Sequence, residues 1–111
     1  MKTFVKQPAE IFDYDIDMVE WFDELDDSDQ IASIAVTSVP AFAPSPGLEL
    51  GPGALPDTQL LAAGPTGLNR IAKIWLGHGT DGVDYIVTAK ITTDLGRLDE
   101  SEFRMRVKEL S

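Results

Sequence analysis

Residues 70–108 contain three runs in which apolar and polar side chains alternate, and that rhythm constrains the fold more than any other feature of the chain. In the middle run, residues 83–93, Tyr85, Val87, Ala89 and Ile91 share one parity, while Thr88, Lys90 and Thr92 share the other with Ile86. Successive side chains of a strand point to opposite faces, so a period of two marks a strand buried on one side. Residues 70–76 repeat the pattern, setting Ala72, Ile74 and Leu76 against Ile71, Lys73 and Trp75. The lysine on the second face puts Trp75 outside the core, under another segment or under a partner. In the third run, residues 101–108, Phe103, Met105 and Val107 point inward and Arg104, Arg106 and Lys108 outward. The Gly-His-Gly-Thr-Asp-Gly stretch at residues 77–82 consists of residues that tolerate left-handed backbone angles, so it reads as a crossing between strands. Residues 93–97 have the form of a hairpin turn with Gly96 in the left-handed position.

Asp84 and Tyr85 fall at the start of the middle strand. A tyrosine there resembles the tyrosine corner of immunoglobulin-like sandwiches, where the phenol bonds back to upstream backbone. Earlier in the chain, residues 3–6 read as a lead strand stopped by Pro8. Residues 10–18 alternate Phe12, Tyr14, Ile16 and Met18 with Asp13, Asp15 and Asp17. Aspartate is a poor strand former, so packing of the aromatic face must outweigh propensity. Met18, Trp21, Phe22 and Leu25 then follow i, i+3, i+4, i+7, which suggests a helical turn or two, or an aromatic-plugged loop. Residues 23–30 form an acidic turn and residues 31–39 a third strand, with Ile34 and Val36 on one parity.

Prolines and glycines crowd residues 40–67, where charge nearly vanishes. Proline lacks the N–H that a ladder needs, so this stretch cannot be regular sheet. Residues 48–50 and 59–62 could be brief strands inside a long structured loop. A flexible linker is the competing reading. Phe42, Leu48, Leu50, Leu55, Leu60 and Leu61 are more apolar matter than a free linker carries, which favours packing. The expected fold is all-β: one immunoglobulin-like antiparallel β-sandwich domain over residues 1–111, with a long Pro/Gly-rich loop or arm at about residues 40–69.

Composition removes several classes of function. At 111 residues the chain can bury one core without staples. The absence of cysteine excludes disulfides and thiolate metal sites, and a lone histidine, His78, excludes a His-rich zinc site. No apolar run approaches the ~20 residues that span a bilayer, and the N-terminal residues lack a signal-peptide profile. A soluble protein made without export is expected. The net charge is −10, and ten of the 19 acids lie in the first thirty residues. Nucleic acid and anionic membranes demand the opposite sign, so neither is an expected partner.

Four constellations have residue types that could carry chemistry. Asp13, Asp15 and Asp17 with Glu24 match the oxygen-ligand spacing of a calcium-binding EF-hand loop, but Met18 stands where that loop needs glycine. Alternation with apolar residues favours a solvated carboxylate row instead. Ser101, His78 and Asp81 could be written as a triad, without a nucleophile elbow to support it. Gly77, Gly79 and Gly82 match a dinucleotide fingerprint formally, yet a strand follows where a helix is required. The outward row Arg104, Arg106 and Lys108 is opposite in sign to the aspartate row; the two are solvated faces or complementary surfaces between neighbouring copies or with a partner. No catalytic, cofactor-binding or metal-ligating residue is assigned, and no cofactor is expected.

Two blocks carry a family likeness. The first is Val5, Lys6, Pro8, Glu10 and Asp13 to Asp17 leading to Trp21. The second is Ile74 to Gly77, Gly79 to Gly82, Tyr85, Val87 and Thr88, followed by Ile91 to Thr93, Gly96, Arg97, Glu100, Phe103, Arg106 and Val107. Together they resemble a family of small tailed-phage virion proteins known as phage fibre–tail adaptors. The resemblance implies an immunoglobulin-like, non-enzymatic component of the virion, made in the host cytoplasm. Its partners would be other virion proteins of tail, fibre or capsid, met in multiple copies of a symmetric assembly. A capsid decoration protein is the alternative within that class. Outside it stands a small ligand- or calcium-binding β-sandwich module. Where family members have a short connection, Val39 and Pro40 here open a much longer excursion.

Overall fold

The computed structural model describes residues 1–25, 28–41, 43–51, 53 and 55–109, and of Leu25 the backbone. Within them run eight strands and one short helix: β1 (Lys2–Lys6), β2 (Phe12–Asp17), α1 (Val19–Leu25), β3 (Ile31–Val39), β4 (Leu48–Leu50), β5 (Gln59–Ala62), β6 (Asn69–His78), β7 (Asp84–Thr93) and β8 (Leu98–Val107). They form two sheets. One has the order β1-β8-β7-β3, and the other β2-β6-β4 with β5 also paired to β6. β1 runs parallel to β8, whereas the other pairs are antiparallel.

The alternation read from the sequence is the alternation of burial. Tyr85, Val87, Ala89 and Ile91 of β7 are fully buried and meet Phe103, Met105 and Val107 of β8. Ala72, Ile74 and Leu76 of β6 face them from the other sheet with Ile16 of β2, so one core lies between the two layers. Each buried Val, Leu, Ile, Met or Phe contributes about 1.5–3 kcal/mol relative to exposure. Phe4, Phe12, Tyr14 and Phe103 close one flank as an aromatic cluster, with ring centroids 4.9–5.5 Å apart. That packing explains how a strand bearing three aspartates forms at all.

α1 occupies the span where the sequence offers a helical turn. The Val19 N–H donates to the Asp17 carboxylate at 3.0 Å, capping the helix start. Phe22 is fully buried and Trp21 packs at its edge, with ring centroids 4.9 Å apart. The side chain of Leu25, residues 26–27 of the expected acidic turn, and Phe42 of the apolar scatter lie outside the described residues.

The Pro/Gly-rich segment contributes β4 and β5, where the sequence allowed brief strands. Both pair with the flank of β6 that β2 leaves free, β5 along residues 69–73 and β4 along residues 76–78. β6 therefore extends through Gly77 and His78, two residues expected to belong to the crossing, because Leu48 and Glu49 offer them partners. Between the two short strands, Leu55 is buried with its Cδ1 3.1 Å from where a Gly77 side chain would begin. Gly77 shares its parity with the half-buried Trp75, so the excursion covers part of the outer face of β6.

Candidate functional site

The aspartate row belongs to β2 and lies beside β6. Lys73, opposite Asp15 in the ladder, bonds Asp13 and Asp15 at 3.2 Å each. These two carboxylates hold the Lys73 ammonium above its ordinary pKa. Asp17 is engaged at the helix start. The calcium-like spacing is thus spread along a strand and a helix, and no group of three or more His, Cys, Asp or Glu side chains able to hold a metal occurs among the described residues.

The triad residues stand apart as well. Ser101 lies opposite Ala89 in the β7–β8 ladder, His78 ends β6 in the other sheet against Glu49, and the Asp81 carboxylate accepts from the Glu109 N–H at 2.8 Å. Gly79 and Gly82 adopt φ of 96° and 85° in a turn between strands, and no helix follows them.

Tyr85 anchors that turn. Its phenol oxygen accepts from the Thr80 N–H at 2.9 Å and donates to the Pro46 carbonyl at 3.4 Å, while the Thr80 hydroxyl donates to the same carbonyl at 2.8 Å. The β6–β7 turn and the start of the Pro/Gly-rich segment are therefore tied by one buried ring. Tyr85→Phe removes both phenol bonds and should cost about 1–2 kcal/mol in urea unfolding, with faster amide exchange at Thr80. An unchanged midpoint would show that the corner does not hold the turn.

Beside it, Asp81, Gly82, Asp84, Arg106, Val107 and Lys108 line a groove of about 500 Å³. Two of its charges, Asp84 and Arg106, pair with each other. Arg106 donates from two nitrogens to the two oxygens of Asp84, at 3.0 and 3.2 Å, and holds that carboxyl below its ordinary pKa. One member of the outward basic row is thus committed internally. Half-buried Arg104 sits between Ile86 and Thr3 in a row across the outer face, with exposed Val39 beyond Ile86.

Three buried charges were not legible as such in the sequence. Asp29 is fully buried between the end of α1 and the β7–β8 hairpin. Its carboxylate accepts from Gln30 N–H at 2.9 Å, Leu95 N–H at 3.1 Å and Arg97 Nη1 at 2.8 Å, and also from Thr93. Burial alone would raise its pKa, yet these donors outweigh it and the net shift is downward. Arg70 is fully buried, 4.6 Å over the Phe22 ring, with Nε donating to the Asp29 carbonyl at 3.2 Å. The parity of Arg70 with Ala72, Ile74 and Leu76 was the available signal. Lys6 is also buried, and its ammonium donates to the carbonyls of His78, Gln7 and Pro8 at 2.6, 2.7 and 3.3 Å. Desolvation lowers its pKa, against an opposing field from Glu10.

These features define an all-β protein of two packed sheets, whose buried charges are bonded within the fold. The family model described as "Podophage GP4 fiber-tail adaptor protein gp77" matches residues 6–106, and the chain belongs to that family. It is accordingly a bacteriophage structural protein of the tail-fibre adaptor kind, a class that is not enzymatic. No curated protein matches the chain. Among the described residues, no helix is long and apolar enough to cross a membrane.

Proposed function

We propose that this chain is an immunoglobulin-like adaptor that joins a fibre to the podophage tail through protein–protein contacts alone. The observation that carries the reading is the family match, which runs from the last residue of β1 to the penultimate residue of β8. Strand order supports the immunoglobulin-like part. β2, β6 and β4 correspond to the B, E and D strands of such a sandwich, and β8, β7 and β3 to G, F and C. Tyr85, near the start of β7 and bonded to backbone five residues upstream, takes the part of the tyrosine corner.

In this reading residues 1–111 are one domain, with the segment at 40–69 an integral part of it. The protein is made in the host cytoplasm and incorporated in several symmetric copies. The net charge of −10 favours protein surfaces over nucleic acid as partners. No catalytic, cofactor-binding or metal-ligating residue takes part. Particles of the producing phage carrying a deletion of this gene should assemble tails without fibres, seen by electron microscopy and by mass spectrometry of the purified particles. Fibres retained at normal occupancy on such particles would overturn the adaptor role.

A further inference from the structure

We propose that the free edge of β3 is a self-association site, where a second copy of this chain pairs antiparallel about a two-fold axis through Ala35. β3 ends its sheet, so among the described residues no strand pairs with the other side of this nine-residue strand. An edge of that length is usually blunted by charge, proline or a cover, because unpaired N–H and C=O groups recruit other strands. The other strands at sheet edges follow the rule. β1 carries the exposed Lys2, β2 carries Asp13, Asp15 and Asp17, β4 has three residues including Glu49, and β5, though uncharged, has only four. β3 is uncharged throughout in a chain of net charge −10.

The sequence of β3 also matches its own reverse. Around Ala35 stand Ile34 and Val36, then Ser33 and Thr37, then Ala32 and Ser38, then Ile31 and Val39. A two-fold contact uses the same patch on both copies and therefore needs self-complementarity. Antiparallel pairing through Ala35 sets each Ile34 opposite a Val36 and each Ser33 opposite a Thr37, which are favourable cross-strand pairs. The bulge between Ile31 and Ser33 confines the regular register to the central residues. Parity is preserved, too. Ile34 and Val36 pair with Ile91 and Ala89 on the core-facing side, yet both remain only half-buried at the open edge. A second β3 would continue the sheet and cover them.

A charged peptide would find nothing to match on this strand, whereas a second copy meets no like charge there despite the acidity of both chains. This inference stands independently of where the protein sits in a particle.

Sedimentation velocity of the purified chain over a concentration series should show a reversible monomer–dimer equilibrium. Ala35 is exposed, and charge is well tolerated on edge strands, so Ala35→Lys and Ala35→Glu should each leave the thermal melt of the monomer unchanged. Each should weaken the dimer by about tenfold or more, because like charges then face each other across the axis. An equimolar mixture of the two variants should recover dimer as the Lys–Glu heterodimer. Amide exchange gives a reading without any substitution, since protection in β3 should rise with concentration while β1 and β2 stay constant. A wild-type chain that remains monomeric throughout, a dimer indifferent to both variants, or β3 amides insensitive to concentration would each overturn the proposal.

Discussion

Asp29→Ala should destabilise the protein by about 2–4 kcal/mol, the range expected when a buried, charge-assisted hydrogen-bond acceptor is removed. The substitution strands several donors at once: the amides of Gln30 and Leu95, the Thr93 hydroxyl and the Arg97 guanidinium. Arg97 keeps about a third of its side chain in water, which holds the loss below the full cost of an orphaned buried ion. At about 4 °C per kcal/mol for a chain of this size, the melting midpoint should fall by roughly 8–16 °C. Asp29→Asn retains an acceptor oxygen and should fall between. The pH dependence has a definite sign. The folded-state pKa of Asp29 is depressed, so the unfolded chain takes up the proton more readily. The contribution of Asp29 is therefore complete above the ordinary carboxylate value of about 3.9 and is lost as pH falls through the folded value. The stability gap between wild type and Asp29→Asn should be constant near neutrality and narrow below about pH 4. A constant gap down to strong acid would show that charge at Asp29 does not matter.

Gly79→Ala should cost about 2–4 kcal/mol, from two sources that a control can separate. Gly79 has φ of 96°, where a Cβ is strained, and that Cβ would lie 2.7 Å from Val107 Cγ2 and 3.3 Å from the Tyr85 ring. Both neighbours are fully buried, so neither has space to yield. Gly82 provides the comparison, with φ of 85° and nothing within 4 Å of its would-be Cβ. Gly82→Ala should show only the conformational part, about 1–2 kcal/mol. Urea unfolding of the two variants measures the difference directly. Equal losses would mean that close packing under the corner contributes nothing, and that only backbone angle makes glycine necessary at both places.

These two sites also divide what was readable from what was not. Gly79 was legible as a turn residue, since Gly-His-Gly-Thr-Asp-Gly announces left-handed geometry wherever it occurs. Its second constraint, contact with Val107, joins residues 28 positions apart and has no local signature. Asp29 looked like one more acid in a solvated turn, and Arg70 like the polar start of a strand. Their burial follows from α1 folding Phe22 under Arg70 while the β7–β8 hairpin brings Arg97 to Asp29. Lys6 is similar: it is buried because three carbonyls converge on it, one of them from His78 on the other sheet.

By itself the sequence determined the long strands to within a few residues at their ends, the buried faces of β2, β6, β7 and β8, and the turn at residues 93–97. Those properties depend on the alternation of side chains along the chain and on the backbone freedom of single residues. It allowed the two short strands inside the Pro/Gly-rich excursion, with a flexible linker as the competing reading, and the structure forms both. Only the tertiary structure decided which strand lies beside which. β1 runs parallel to β8 at the other end of the chain, β6 takes β2 on one flank and β4 and β5 on the other, and β3 is left with an open edge. Pairing depends on register between distant segments and on what the whole core can cover, so it settles both the buried charges and the surface left for another molecule.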